Sequence, residues 1–286
     1  MTIPPSSETS PTREAIDTAA ESLGYAPTFL GVTVDLPTMS PTLQPDIAMT
    51  TEGLSVADYT HFSLALRASR RLAAWVAWNI DGATLRDAPR EGLEFRLDPR
   101  FAASAQVGNE LYRNNRLDRG HIARRADLLW GSAADVDAAN RDSFYYTNIA
   151  PQMDTFNQSA QAGLWGRLED AVLSDVEVDD LAVSVFGGPV FDADDRVYRD
   201  VQIPVDFWKV ITYVVDGTLR ARAFLLTQNL DGLEAFDLDA FRLFQVPIAQ
   251  LEDRTGVRFA PVVGEADLTE WPEASRRVES TADIRW

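Results

Sequence analysis

A chain of 286 residues with 45% hydrophobic content and no cysteine can bury one large core, and it excludes disulfides, thiolate zinc sites and a cysteine nucleophile. A formal net charge of −18 excludes nucleic-acid binding through a generally basic surface, so a polyanionic ligand would have to meet a local field. No apolar run approaches the roughly 20 residues that span a bilayer, which excludes a membrane-embedded chain.

Residues 1–20 read as a flexible arm, and residues 1–13 lack the basic and then apolar order of a Sec signal peptide. The expected location is therefore cytoplasmic, or outside the cell by a non-Sec route. Residues 21–286 read as a single domain. Its first part, 21–60, is punctuated by Pro27, Pro37, Pro41 and Pro45 and reads as a wrapping extension. Thr60–Ala68 and Ala73–Ile80 are strand-like, with a turn at Asp81-Gly82, and 83–117 is loop-rich. Asp135–Tyr146 is predicted helical. Asn157–Leu173 carries Leu164, Trp165, Leu168 and Val172 at the spacing of one helical face.

Downstream, Leu181–Phe186, Phe207–Val215 and Leu219–Gln228 are strand candidates. Gly187-Gly188-Pro189 reads as a turn and Asp216-Gly217 as a hairpin turn. Phe244–Thr255 is predicted as a short helix stopped by Gly256. Strands, then helices, then strands again indicate an α+β fold. Its sheet should be mixed but largely antiparallel, with flanking helices.

Chemistry concentrates near residue 120. Residues 113–125 hold Arg113, Arg116, Arg119, Arg124 and Arg125 against a single acid, Asp118, and they include His121, one of two histidines in the chain. Neutral imidazole can take a proton from water, and neighbouring guanidinium groups oppose its protonation. Gly120 allows close approach or a sharp turn beside the ring. Phosphate-binding P-loop, zincin and nucleophile-elbow patterns are absent. Tyr146–Gln152 and Phe156-Asn157-Gln158 are rich in amides. These either cap and turn the chain or offer an amide oxygen to a hard cation such as Mg²⁺.

Asp118-Arg119-Gly120-His121, Thr147-Asn148 with Pro151-Gln152, Asn157-Gln158 and Leu164-Trp165 with Leu168-Glu169 occur in an order that resembles the DNA/RNA non-specific endonucleases, which are ββα-metal (His-Me finger) nucleases. The resemblance runs over about residues 24–260 and continues through Val185–Phe191, Ile203–Val210 and Thr255–Phe259. It implies a ββα-metal motif and hydrolysis of DNA and RNA to 5′-phosphate products. It places the general base on His121 and the metal ligand on Asn157, with Glu169 and Asp118 holding metal-bound water. Glu169 would thereby count as catalytic, Arg119 would contact substrate phosphate, and Asn148 would belong to the substrate-binding set, shaping the site through hydrogen bonds. Arg90 would stabilise the transition state, with Arg86 and Arg96 as neighbouring alternatives.

Mg²⁺ is the implied cofactor and Mn²⁺ a substitute. Two other functions compete: a catalytically silent nucleic-acid-binding relative, and a toxin or immunity nuclease held by an inhibitor protein. Asn157 and Glu169 lie twelve residues apart, about 120° around one continuous helix, so Asn157 is expected in a loop with the helix starting near Gly163. His61, Trp75, Trp78, Trp130, Trp165, Trp208 and Trp271 are expected to serve packing, and Asp192–Asp195 a solvated loop.

Overall fold

The computed structural model describes residues 23–154, 181–228, 230, 242–267, 269 and 276–278. Its centre is an eight-stranded sheet built from β2 (Ala57–Tyr59), β3 (Phe62–Arg67), β4 (Leu72–Asp81), β7 (Ala182–Val190), β10 (Asp206–Val215), β11 (Thr218–Thr227), β12 (Arg242–Val246) and β14 (Arg276–Val278), in the order β14-β12-β11-β10-β7-β4-β3-β2. Every neighbouring pair in it is antiparallel. The fold is α+β as expected, with a sheet that is antiparallel throughout rather than mixed.

The long central strands are buried on both faces, which is why β4 and β10 read as near-continuous apolar runs. On one face, Val76, Trp78, Phe207, Ile211 and Phe224 pack against Leu117, Ile122, Leu128, Tyr146 and Ile149. On the other, Trp75, Trp208 and Val210 pack against Tyr25, Val34, Ile47, Leu251 and Val263. Residues 23–47 lie along this second face. Thr38–Met39 (β1) pairs there with Val257–Arg258 (β13), beside helices α2 (Ile248–Thr255) and α3 (Pro261–Glu265).

The predicted hairpin between β10 and β11 turns at Asp216-Gly217, both at positive φ (51° and 73°), as a two-residue type I′ turn requires. Gly256 ends α2 in the left-handed conformation, φ 69°. Two expectations are corrected. Phe244–Val246 is strand, and the helix begins only at Ile248, after Pro247 has blocked the backbone donor. Gly187-Gly188-Pro189 is not a turn but the middle of β7, paired with Phe207–Lys209. A Cβ on Gly188 would sit 2.9 Å from the Ala74 carbonyl and 3.1 Å from Trp208 Nε1, and one on Gly187 would sit 3.3 Å from the Trp78 ring. The glycines make room for two indoles inside the sheet.

The layer over the first face holds a separate two-stranded antiparallel sheet, β5 (Leu117–His121) with β6 (Ile149–Met153), and helix α1 (Ala133–Asp142), which lies between them in the chain. A Ser132–Asp135 capping box starts α1. Gln228 fastens β6 to the sheet: it accepts from Met153 N at 2.8 Å and donates to the Pro151 and Pro204 carbonyls at 3.2 and 2.7 Å.

Candidate active site

The Asp118–His121 stretch is strand β5, in unbroken register with Ile149–Gln152. Side chains alternate along it. Arg119 and His121 therefore share one face, while Asp118 and Gly120 share the other with Gln152. The contacts agree. The Phe95 ring lies 5.7 Å from the His121 ring and 5.4 Å from the Arg119 guanidinium. On the opposite face, a Cβ at Gly120 would fall 2.0 Å from Gln152 Oε1. Gly120 has no positive φ, so it serves space rather than backbone conformation. Gln152 is fully buried, and its two amide atoms have no hydrogen-bond partner among the described residues.

His121 is held by Phe95 and by an edge-on Phe144 at 5.9 Å. Its Nε2 is buried and has no hydrogen-bond partner among the described residues. Burial, and then the charges of Arg90, Arg125 and Arg124, push its pKa from the ordinary 6.5 down to about 3. The ring is neutral across the physiological range. Asn148 fixes the chain just beyond it: its Oδ1 accepts from Ala123 N at 2.9 Å and its Nδ2 donates to the Ala123 carbonyl at 3.0 Å. Asn148 is fully buried, and its Nδ2 makes a longer donation to the Ser143 carbonyl at 3.5 Å.

Arg119 lies over Tyr112 at 5.3 Å as well as over Phe95, and its hydrogen bonds go to Asn109 Oδ1 and Tyr146 Oη. Arg125 donates to Asn140 Oδ1 at 2.7 Å and to the Ala88 carbonyl. These partners are neutral. By contrast, Arg116 is paired with Asp154 at 2.7 Å. Of the three candidate upstream arginines, Arg86 donates to the Gly131 carbonyl at 2.9 Å and Arg96 lies over the Tyr145 ring at 4.0 Å. Arg90 is exposed, and of the three it alone acts on the His121 charge.

The remaining expected site residues, Asn157 and Glu169, lie outside the described residues, as does the helix expected near Gly163. Among the described residues no group of three or more His, Cys, Asp or Glu could hold a metal ion. Sequence reasoning did not single out Asn140, Gln228 or Phe95. Their neighbours in the chain carry no signal of the long-range contacts they make.

The packing residues behave as expected. His61 stacks on Trp130 at 3.5 Å and bonds through Nδ1 to the Leu128 carbonyl at 2.8 Å. Trp130 donates to the Asn79 carbonyl at 2.9 Å. Trp165 and Trp271 lie outside the described residues. Asp195, expected in a solvated loop, is instead buried and paired with Arg70 at 3.0 Å.

The family model for DNA/RNA non-specific endonucleases matches residues 44–266. The chain belongs to the DNA/RNA non-specific endonuclease family. Relatives include an uncharacterized Sinorhizobium fredii protein, y4fB, 35% identical over 92% of this chain and 42% of that protein. Human mitochondrial endonuclease G is 32% identical over 67% of this chain and 64% of its own length. A Nostoc protein described as a nuclease is 26% identical over 78% of this chain and 76% of its own length. The chain thus spans less than two thirds of the length of the first two. Among solved structures, EndoG in an EndoG/EndoGI complex superposes with a TM-score of 0.56 at 21% identity, covering 74% of this chain and 89% of that one. That likeness bears on the fold. Among the described residues no helix is long and apolar enough to cross a membrane.

Proposed function

We propose that this member of the family is a metal-dependent, sugar-non-specific endonuclease that hydrolyses DNA and RNA to 5′-phosphate products. The observation that carries the reading is His121 Nε2, a buried nitrogen without a partner among the described residues, on a ring kept neutral by burial and by three guanidinium groups. A neutral imidazole there can accept the proton of an attacking water, a role worth roughly 10²- to 10⁴-fold. Arg90 would neutralise charge building on the phosphate, and Arg119, held between two rings, would bind a substrate phosphate. Asn148 would keep β5 in register under the histidine. This attack needs no 2′-hydroxyl, so both nucleic acids are substrates.

Mg²⁺, with Mn²⁺ as substitute, would supply Lewis-acid stabilisation of the phosphate and the leaving oxygen. The described residues do not by themselves make a site for it. Asn157 is the proposed direct ligand, with Glu169 and Asp118 acting through water. Asp118 would do so from the opposite face of β5. We further propose an arm at 1–20 and a single domain over 21–286 with 21–60 as its wrapping extension. An inhibitor protein is proposed as a partner, a reading favoured by the solved EndoG structure's being a complex titled for EndoG inhibition.

Nicking of supercoiled plasmid, and degradation of RNA, should require Mg²⁺ or Mn²⁺ and fall by at least about 10²-fold in His121→Ala. Binding of both nucleic acids without cleavage in either metal would instead identify a silent relative.

A further inference from the structure

We propose that Arg125 and Asn140 form a bracket that positions Arg90 at His121, making them positioning residues for the reaction. The inference rests on the reading of Arg90 given above. Arg125 and Asn140 are 8% and 6% exposed. Arg125 Nε donates to Asn140 Oδ1 at 2.7 Å. The two side chains then take consecutive carbonyls of the upstream loop: Arg125 Nη2 donates to Ala88 and Asn140 Nδ2 donates to Pro89 at 3.0 Å. The next residue is Arg90.

This loop has little regular structure of its own to hold it there. Pro89 has no backbone donor, and no helix or strand is found between Leu85 and Arg90. Its upstream end is tied to the Leu129 and Gly131 carbonyls through Arg86. The Arg90 carbonyl accepts from Leu93 N at 3.2 Å in a turn of the loop itself, so the nearest support from outside the loop is the bracket, whose base is the capped helix α1. A buried guanidinium without a carboxylate in its hydrogen bonds is costly, and this one lies beside the like charge of Arg90, offset in part by Asp87. That expense suits a site built to receive an anion better than a purely structural joint, for which a neutral side chain would serve.

The test combines backbone exchange with kinetics on the full chain. Asn140→Ala, and the more conservative Asn140→Asp, which keeps the acceptor for Arg125 and loses the donor to Pro89, should speed hydrogen–deuterium exchange over residues 86–92. Exchange in β4 and β10 should be unchanged, which shows that the variants are folded. Both should lower kcat about tenfold or more, in the range that a misplaced group costs, with KM little changed. In an Arg90→Ala background they should lower it no further. Unchanged exchange over 86–92 would overturn the bracket. Equal kcat losses with and without Arg90, or faster exchange with unaltered kcat, would overturn its service to Arg90. If the chain proves to have no nuclease activity, the reading of Arg90 fails, and the exchange still decides whether the bracket holds the loop.

Discussion

At the scale of single residues, His121 is kept neutral by where β5 puts it. The sign of the consequence follows from the direction of the shift. Between pH 6.5 and about 3 the unfolded chain binds a proton at this residue that the folded chain does not. The stability contributed by neutral His121 is therefore fully present above about pH 6.5 and is lost progressively as the pH falls towards 3. His61, also lowered by burial, acts in the same direction. In the metal-free protein the His121 ring resonances should not titrate between pH 8 and 5. The melting temperature of His121→Gln should fall less steeply than that of the parent below pH 6.5. A His121 midpoint near 6.5 by NMR would refute this.

Gly120 gives a second residue-scale prediction. Its missing Cβ is the space occupied by Gln152, so Gly120→Ala should destabilise the protein by about 1–3 kcal/mol, the range for overpacked sites. Because the obstruction is one side chain, adding Gln152→Ala should restore part of the loss, as read by denaturant unfolding. A loss of the same size in the double variant would place the strain in the backbone instead.

At the scale of elements, the β5–β6 pair carries the proposed base, and Asn148 ties the entry to β6 to the exit from β5. Asn148 satisfies both backbone groups of Ala123 from a fully buried site. Asn148→Ala leaves a buried donor and acceptor unpaired and should cost about 2–4 kcal/mol. Activity should fall at temperatures where the variant is still folded. Full activity at such a temperature would show that the clamp serves stability alone.

The elements also show where local reading ends. The strands β3, β4, β10 and β11 are legible because apolar, aromatic and β-branched residues run between local turn signals such as Asp81-Gly82 and Asp216-Gly217. The three residues Gly187-Gly188-Pro189 look like a turn in one dimension. They form a strand because Trp78 and Trp208, far away in the chain, occupy the space their side chains would fill. Phe244–Val246 likewise joins the sheet because β11 offers it an open edge.

At the scale of the whole molecule, a charge of −18 coexists with Arg90, Arg119, Arg124 and Arg125 gathered around one histidine. Arg119 and Arg125 make their hydrogen bonds to neutral groups, which leaves their charge for a ligand. Activity on DNA should fall steeply between 50 and 300 mM salt, since each phosphate contact contributes about 0.9 to the slope of log affinity against log salt. Arg119→Ala should lower that slope by about one. A flat profile would refute the local basic face.

The sequence by itself determined the α+β class and the family resemblance, and it singled out the residues proposed to carry the chemistry. Strand chemistry and a contiguous Asp118–His121 are local properties that survive without coordinates. The tertiary structure decided which upstream arginine acts on the charge of the histidine, that Asn148 is a buried clamp on Ala123, and that Gly120 leaves its space to Gln152. It also revealed Arg125, Asn140 and Gln228 as fasteners, whose bonds cross 15, 37, 51 and 75 residues of chain. Hydrogen bonds over such separations leave no periodicity or spacing to read. They exist only once the large sheet has brought its layers together.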